Sequence, residues 1–144
     1  MANVTMQKFG YPDSLLREFD NWVVLLRPGQ VTLGSLVLAA KSDATAFGVL
    51  PPEAHAELAI ITREIEATLK AEIDYERINY LMLMMVDPNV HFHVFPRYQG
   101  TRRFEGFEFE DRGWPGPPDL KSAVEIPVLA SKNLGNLLIK GWSI

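Results

Sequence analysis

Between Pro51 and Lys70 the apolar residues Ala54, Leu58, Ile61, Ile65 and Leu69 recur at spacings of three and four. That spacing draws one stripe down one side of a helix. Pro51 and Pro52 suit its first turn, where a missing N–H costs nothing, and Glu53 sits against the positive end of the helix dipole. The opposite side carries Glu57, Arg63, Glu64 and Lys70. A helix of this length with one apolar face must lie on something broad and apolar, and a sheet is the natural partner.

The chain supplies the strands. Trp22 to Leu26 (WVVLL) and Leu36 to Ala40 read as buried strands, joined through the turn-rich RPGQVTLG as a β-hairpin. Ile78 to Val86 and Val90 to Phe95 read as two more, separated by a short Asp87-Pro88-Asn89 turn. Ile78 to Val86 is apolar almost throughout, so both of its faces should be covered. Ahead of them Ser14 could cap a short helix over residues 14–19. After Arg97 the chain turns irregular, with Gly100, Gly106, Gly113 and WPGPP, and Ser131 to Trp142 closes with Leu134, Leu137, Leu138 and Trp142 at helical spacing. The fold class is α+β, an antiparallel sheet with one long amphipathic helix packed across it.

Composition removes several functions. The 144 residues fit one domain and contain no cysteine, which excludes disulfides, thiolate nucleophiles and cysteine-held zinc. The longest apolar run, Tyr80 to Val86, is far too short to span a membrane, and the first residues lack a secretory apolar stretch, so a cytoplasmic protein is expected. A net charge of −4 argues against nucleic acid or an anionic membrane as a partner.

The chemistry concentrates in VHFHVFPR. Alternate strand residues share a face, so Asp87, Asn89, His91, His93 and Phe95 fall on one side and Val90, Phe92 and Val94 on the other. Burying two imidazoles beside an amide and a carboxylate would demand a partner for each, so the polar side is expected to line a cleft. A neutral imidazole is a competent nucleophile and proton carrier near neutrality. Two of them about 7 Å apart on one strand face can divide attack from substrate holding. The same spacing suits a divalent metal with Asp87 as a further ligand, or two strand histidines with no task. Spacing alone does not separate these readings.

The order of hairpin, "TLGSLVL", long helix, strand and "NVHFHVFPR" resembles the histidine triad superfamily over about residues 20–98. The resemblance implies a single such domain over residues 1–144, with 99–144 an irregular segment and a C-terminal helix. It implies hydrolysis or transfer of nucleotidyl groups, on nucleoside phosphoramidates or dinucleoside polyphosphates, through a covalent histidine–phosphate intermediate. Registering Pro96-Arg97 on the end of the family signature puts Asn89, His91 and His93 in the three histidine places. His91 is then the nucleophile and His93 a phosphate contact. Asn89 stands where a histidine is usual and can orient a neighbour, but it cannot carry a proton. Ser35 follows Gly34 where the family usually has histidine, and Arg27 stands at a ribose-binding acidic or amide position. Arginine serves ribose hydroxyls poorly and phosphate well. Arg27, Ser35 and Arg97 are the substrate-binding candidates. The resemblance needs no metal or cofactor, and it implies a homodimer with a continuous sheet.

Two alternatives remain: a weak binder of nucleotide or phosphate on the same fold, and a metal-dependent hydrolase using His91, His93 and Asp87. Elsewhere the plainer readings are preferred. His55 is taken as solvated on the helix, Arg102 and Arg103 as a solvated loop, Met82, Met84 and Met85 as core filling, and Trp114 as packing a tail onto the domain.

Overall fold

The computed structural model describes residues 2–144. Its centre is a five-stranded antiparallel sheet in the order β1-β2-β4-β6-β5. The strands are β1 (Leu15–Glu18), β2 (Trp22–Leu26), β4 (Leu36–Ala40), β5 (Arg77–Leu81) and β6 (His91–Arg97). The short β3 (Gly29–Gln30) pairs with β9 (Val124–Glu125), and β7 (Thr101–Phe104) forms a hairpin with β8 (Phe107–Glu110). Among the described residues three α-helices complete the fold: α1 (Val4–Lys8), α2 (Pro52–Ile73) and α3 (Val128–Lys140).

α2 covers one sheet face along the expected stripe. Ala54, Ile61, Ile65 and Leu69 are buried with Trp22, Val24, Leu36, Leu38 and Val94, and Leu58 packs at the margin. The side expected to face solvent is put to use as well. Glu57 accepts the Asn21 N–H at 2.8 Å, and Glu64 accepts the Trp142 indole N–H at 2.7 Å. Trp142 thereby ties the end of the chain to α2, while Leu134 and Leu138 of α3 join the same core. Arg102 is not merely solvated: it donates to the Ile73 and Asp74 carbonyls, capping the C-terminal end of α2. Arg103 pairs with Glu108 on the exposed hairpin.

Four expectations fail for physical reasons. Residues 15–18 form β1 rather than a helix, because pairing with β2 (Leu15↔Leu25, Glu18↔Val23) outweighs the local cap signal. The Ser14 hydroxyl donates instead to the Phe9 carbonyl. The expected strand 78–86 stops at Leu81, and β5 is a partly exposed edge strand rather than one covered on both faces. Met85 and Val86 are 85% and 86% exposed, so of the three methionines only Met82 and Met84 pack against the core. The segment beyond residue 98 is more ordered than expected, since it builds the β7–β8 hairpin and β9 before α3.

Candidate active site

The site grows from β6. Its register against β4 (Ala39↔His91, Val37↔His93) fixes both histidines on the face away from α2. Phe95 and Arg97 follow on the same face by the two-residue period of a strand. This face is covered by α1, whose N-cap is Asn3. That side chain caps the helix by accepting the Met6 N–H at 2.9 Å and donates to the carbonyls of Ala40 and Ser42. Met6 and Phe9 then pack on Val23, Leu25, Val37 and Ala39.

The histidines are therefore not in an open polar cleft. His91 is 0% exposed and His93 7%. The Phe9 ring lies 5.8 Å from that of His91 and 5.4 Å, edge-on, from that of His93. The two imidazoles stand at right angles with centroids 5.1 Å apart. Sequence reasoning missed this cover because a five-residue helix has no readable apolar period. An asparagine at position 3, a residue type that favours helix N-caps, is the one signal that could have pointed to it.

The two rings have different partners. His91 Nδ1 lies 2.7 Å from the Asn89 carbonyl oxygen. A carbonyl can only accept, so Nδ1 carries the proton and Nε2 carries the lone pair. That Nε2 is buried without a hydrogen-bond partner among the described residues. Such an atom costs free energy in a structural core and suits a nucleophile waiting for an electrophile. His93 Nδ1 accepts the Nε–H of Arg27 at 3.2 Å, and the ring stacks parallel to Phe95 at 6.0 Å. Burial, then Arg27, then His91 push His93 down to about 4, against an opposing pull from Asp87.

The other named residues divide sharply. Asn89 has the expected place but works as a tie. Its Oδ1 accepts from the Thr5 N–H and hydroxyl at 3.3 and 3.0 Å, and its amide donates to the Asp43 carbonyl at 2.9 Å. Its carbonyl, not its side chain, orients His91. Ser35 is fully buried in the turn before β4, donating to the Thr32 carbonyl and accepting the Thr32 N–H. Neighbouring Gly34 has φ +90, and a Cβ there would meet Ile73 at 3.0 Å, so this turn needs glycine. Arg97 is 3% exposed and bidentate to Asp111 at 2.8 and 3.0 Å, with further bonds to Asn79 and the Gly116 carbonyl. Ser35 and Arg97 thus hold the chain together rather than present free donors at the histidines. Arg97 instead borders a groove of about 520 Å³ with Arg77, Asn79, Trp114 and the Pro115–Pro117 segment. Trp114 lines that groove and is half-buried. His55, also half-buried, meets the Phe47 ring edge-on.

For a metal, the set His91, His93 and Asp87 does not converge. Asp87 is paired with Lys8 at 3.1 Å, and among the described residues no three His, Asp, Glu or Cys side chains are arranged to hold an ion.

The fold is shared with solved histidine triad proteins. One from Sinorhizobium meliloti superposes with a TM-score of 0.75 at 21% identity, covering 98% of this chain and 96% of its own. Another from Bradyrhizobium japonicum gives 0.73 at 16% identity, covering 99% and 98%. A protein from Sulfolobus tokodaii, described as a hypothetical histidine triad nucleotide-binding protein, gives 0.65 at 16%, covering 89% and 82%. No protein-family model and no curated protein matches the sequence. The chain has the histidine triad fold, as its sequence resemblance implied.

Proposed function

We propose that this protein is a hydrolase or transferase of nucleotidyl or related phosphoryl groups, working through a covalent phosphate on Nε2 of His91. One observation carries the reading: the buried Nε2 has no partner among the described residues, while Nδ1 is bonded to a carbonyl that keeps the lone pair on Nε2. His93 is the phosphate contact beside it. Asn89 acts through its backbone, and Arg27 supplies the nearby positive charge. A nucleotide ligand is supported by the description of the Sulfolobus tokodaii neighbour and by the sequence resemblance. The mechanism needs no metal or cofactor.

We read residues 1–144 as a single domain that is cytoplasmic, bound to neither nucleic acid nor membrane. No helix among the described residues is long and apolar enough to cross a membrane. β5 has an open edge, with exposed Met85 and Val86 close after it in the chain, which favours a homodimer built by joining two sheets. The second reading is a binding protein with little turnover. It is favoured by the burial of Nε2, with the Phe9 ring packed beside both imidazoles.

The test is a panel of adenosine 5′-phosphoramidate, diadenosine polyphosphate and the p-nitrophenyl ester of AMP. Wild type and His91→Ala are compared with and without EDTA, and trapped protein is weighed by intact mass spectrometry. Turnover that survives EDTA, with an adduct present only in wild type, is the expected result. His91→Ala should lower turnover by on the order of 10⁴-fold or more. Loss of turnover with EDTA would refute the metal-free mechanism, and nucleotide binding without turnover would establish the binding reading.

A further inference from the structure

Arg27 is an unusual neighbour for a phosphate-handling histidine pair. Its Nε–H donates to His93 Nδ1 at 3.2 Å, and its Nη1 donates to the Gly29 carbonyl at 2.5 Å. Its guanidinium carbon lies 5.7 Å from the centre of the Phe95 ring. Among the described residues no carboxylate forms an ion pair with it. Its charged neighbours are Glu125 of β9 and Asp87 ahead of β6, the latter already held by Lys8 of α1.

A guanidinium keeps its protons throughout the range in which proteins fold. The Arg27 Nε therefore always presents hydrogen, and His93 Nδ1 must answer with its lone pair. The proton of His93 is left on Nε2. A second proton would set two N–H groups head to head and two cations side by side, where water cannot separate them. His91 is the opposite case, with its proton on Nδ1 and its lone pair on Nε2. We propose that Arg27 is a positioning residue that locks His93 as a neutral hydrogen-bond donor. The site then has no acid and is suited to substrates whose leaving group departs as a stable anion. This rests on His91 being the nucleophile.

The balance of the step shows why the acid matters. Nε2 of His91 forms a bond to phosphorus, the bond to the leaving group breaks, and its electron pair goes with the leaving group. His91 keeps its Nδ1 proton against the Asn89 carbonyl, which faces the new imidazolium charge. Water then forms the new P–O bond, the N–P bond breaks, its pair returns to Nε2, and the proton from water passes to solvent. An amine or alkoxide leaving group would need a proton in the first half of this sequence. Asn89 has none to give, and its amide is occupied by Asp43. Neutral His93 donates a hydrogen bond but not a proton. Asp87 is paired with Lys8, and Glu125 interacts with the charge of Arg27. The leaving groups that remain are phosphate oxygens of anhydrides, carboxylates of mixed anhydrides, and acidic aryloxides.

The test has two independent arms on the full chain. In the first, ¹⁵N-histidine spectra should show His93 protonated at Nε2 only, with no titration across the neutral range. Arg27→Met should bring its titration back toward the ordinary histidine range and mix its tautomers. A His93 that carries its proton on Nδ1, or titrates near neutrality in wild type, overturns the assignment, and this reading stands even if Arg27→Met fails to fold. In the second arm, the p-nitrophenyl ester of AMP is compared with an N-alkyl phosphoramidate of AMP. The ester should turn over faster by roughly 100-fold or more, the range a missing general acid accounts for. Comparable rates overturn the leaving-group claim. No turnover on either compound would overturn the nucleotidyl reading and the leaving-group claim with it, while the spectra still decide the role of Arg27.

Discussion

The two faces of the central sheet are covered by helices of 22 and five residues. Under α2 the packing against the sheet is mainly apolar, with polar ties such as Trp22 Nε1–H to the Ala54 carbonyl and Asn21 N–H to Glu57 added to it. Under α1 the sheet offers Val23, Leu25, Val37 and Ala39 together with two histidines, and the short helix is tied down by side-chain bonds from Asn3, Thr5 and Lys8. A helix of five residues is marginal by itself, so these ties and the burial of Met6 and Phe9 hold it on the sheet together. The larger apolar core lies on one face of the sheet and the two histidines on the other.

The largest effect should come from the α2 face. Ile65 is fully buried, and Ile65→Ala should cost about 2–5 kcal/mol in a denaturant titration. The tautomers of His91 and His93 should nevertheless stay as they are under native conditions. A change in the histidine spectrum would show that the two faces are coupled and break the comparison.

A smaller effect should come from pH, and it belongs to the α1 face. His93 is held to about 4 in the folded protein, against an ordinary value of 6.5. As pH falls the unfolded chain takes up that proton first, so the contribution is complete above 6.5 and drains away down to about 4. The loss is on the order of 3 kcal/mol. Urea midpoints measured across this range should fall in wild type and fall less in His93→Gln; equal slopes would show that His93 titrates normally in the fold.

The smallest effect should be at the tie itself. Thr5→Val removes the hydroxyl that donates to Asn89 Oδ1 and accepts the Asn89 N–H, at a cost of about 1 kcal/mol. Diethylpyrocarbonate should then modify His91 faster, while the α2 core melts almost unchanged. An unchanged modification rate would mean that α1 is not what limits access.

Legibility followed the same division. The stripe of α2, the hairpin of β2 and β4, and the alternation of β6 were all readable, because each is a long periodic pattern set by one apolar face. β1 was not: its residues carry a helix-capping signal, and only the neighbour Trp22–Leu26 makes them a strand. α1 was not, because it is too short to show a period. At the site, the pairing of His91 with His93 on one face was legible from spacing. The tasks of Asn89, Ser35 and Arg97 were not, since Thr5, Thr32 and Asp111, which claim them, lie 84, 3 and 14 residues away along the chain. Arg27 was readable as a positive charge, but its bond to His93 spans 66 residues and exists only in three dimensions.

Under the proposed function, in which substrate must reach His91 Nε2, the missing surface on that atom bears on every affinity measured. A substrate that can bind only when α1 has lifted binds with its intrinsic constant diluted by the open fraction. With the site open about one part in 100, every dissociation constant is weakened about 100-fold, whatever the compound. Changes at Asn3, Thr5 or Lys8 then shift all substrates by one common factor and leave the order of preference among them untouched. A ranking of ligands reports the pocket; their absolute strength reports the helix.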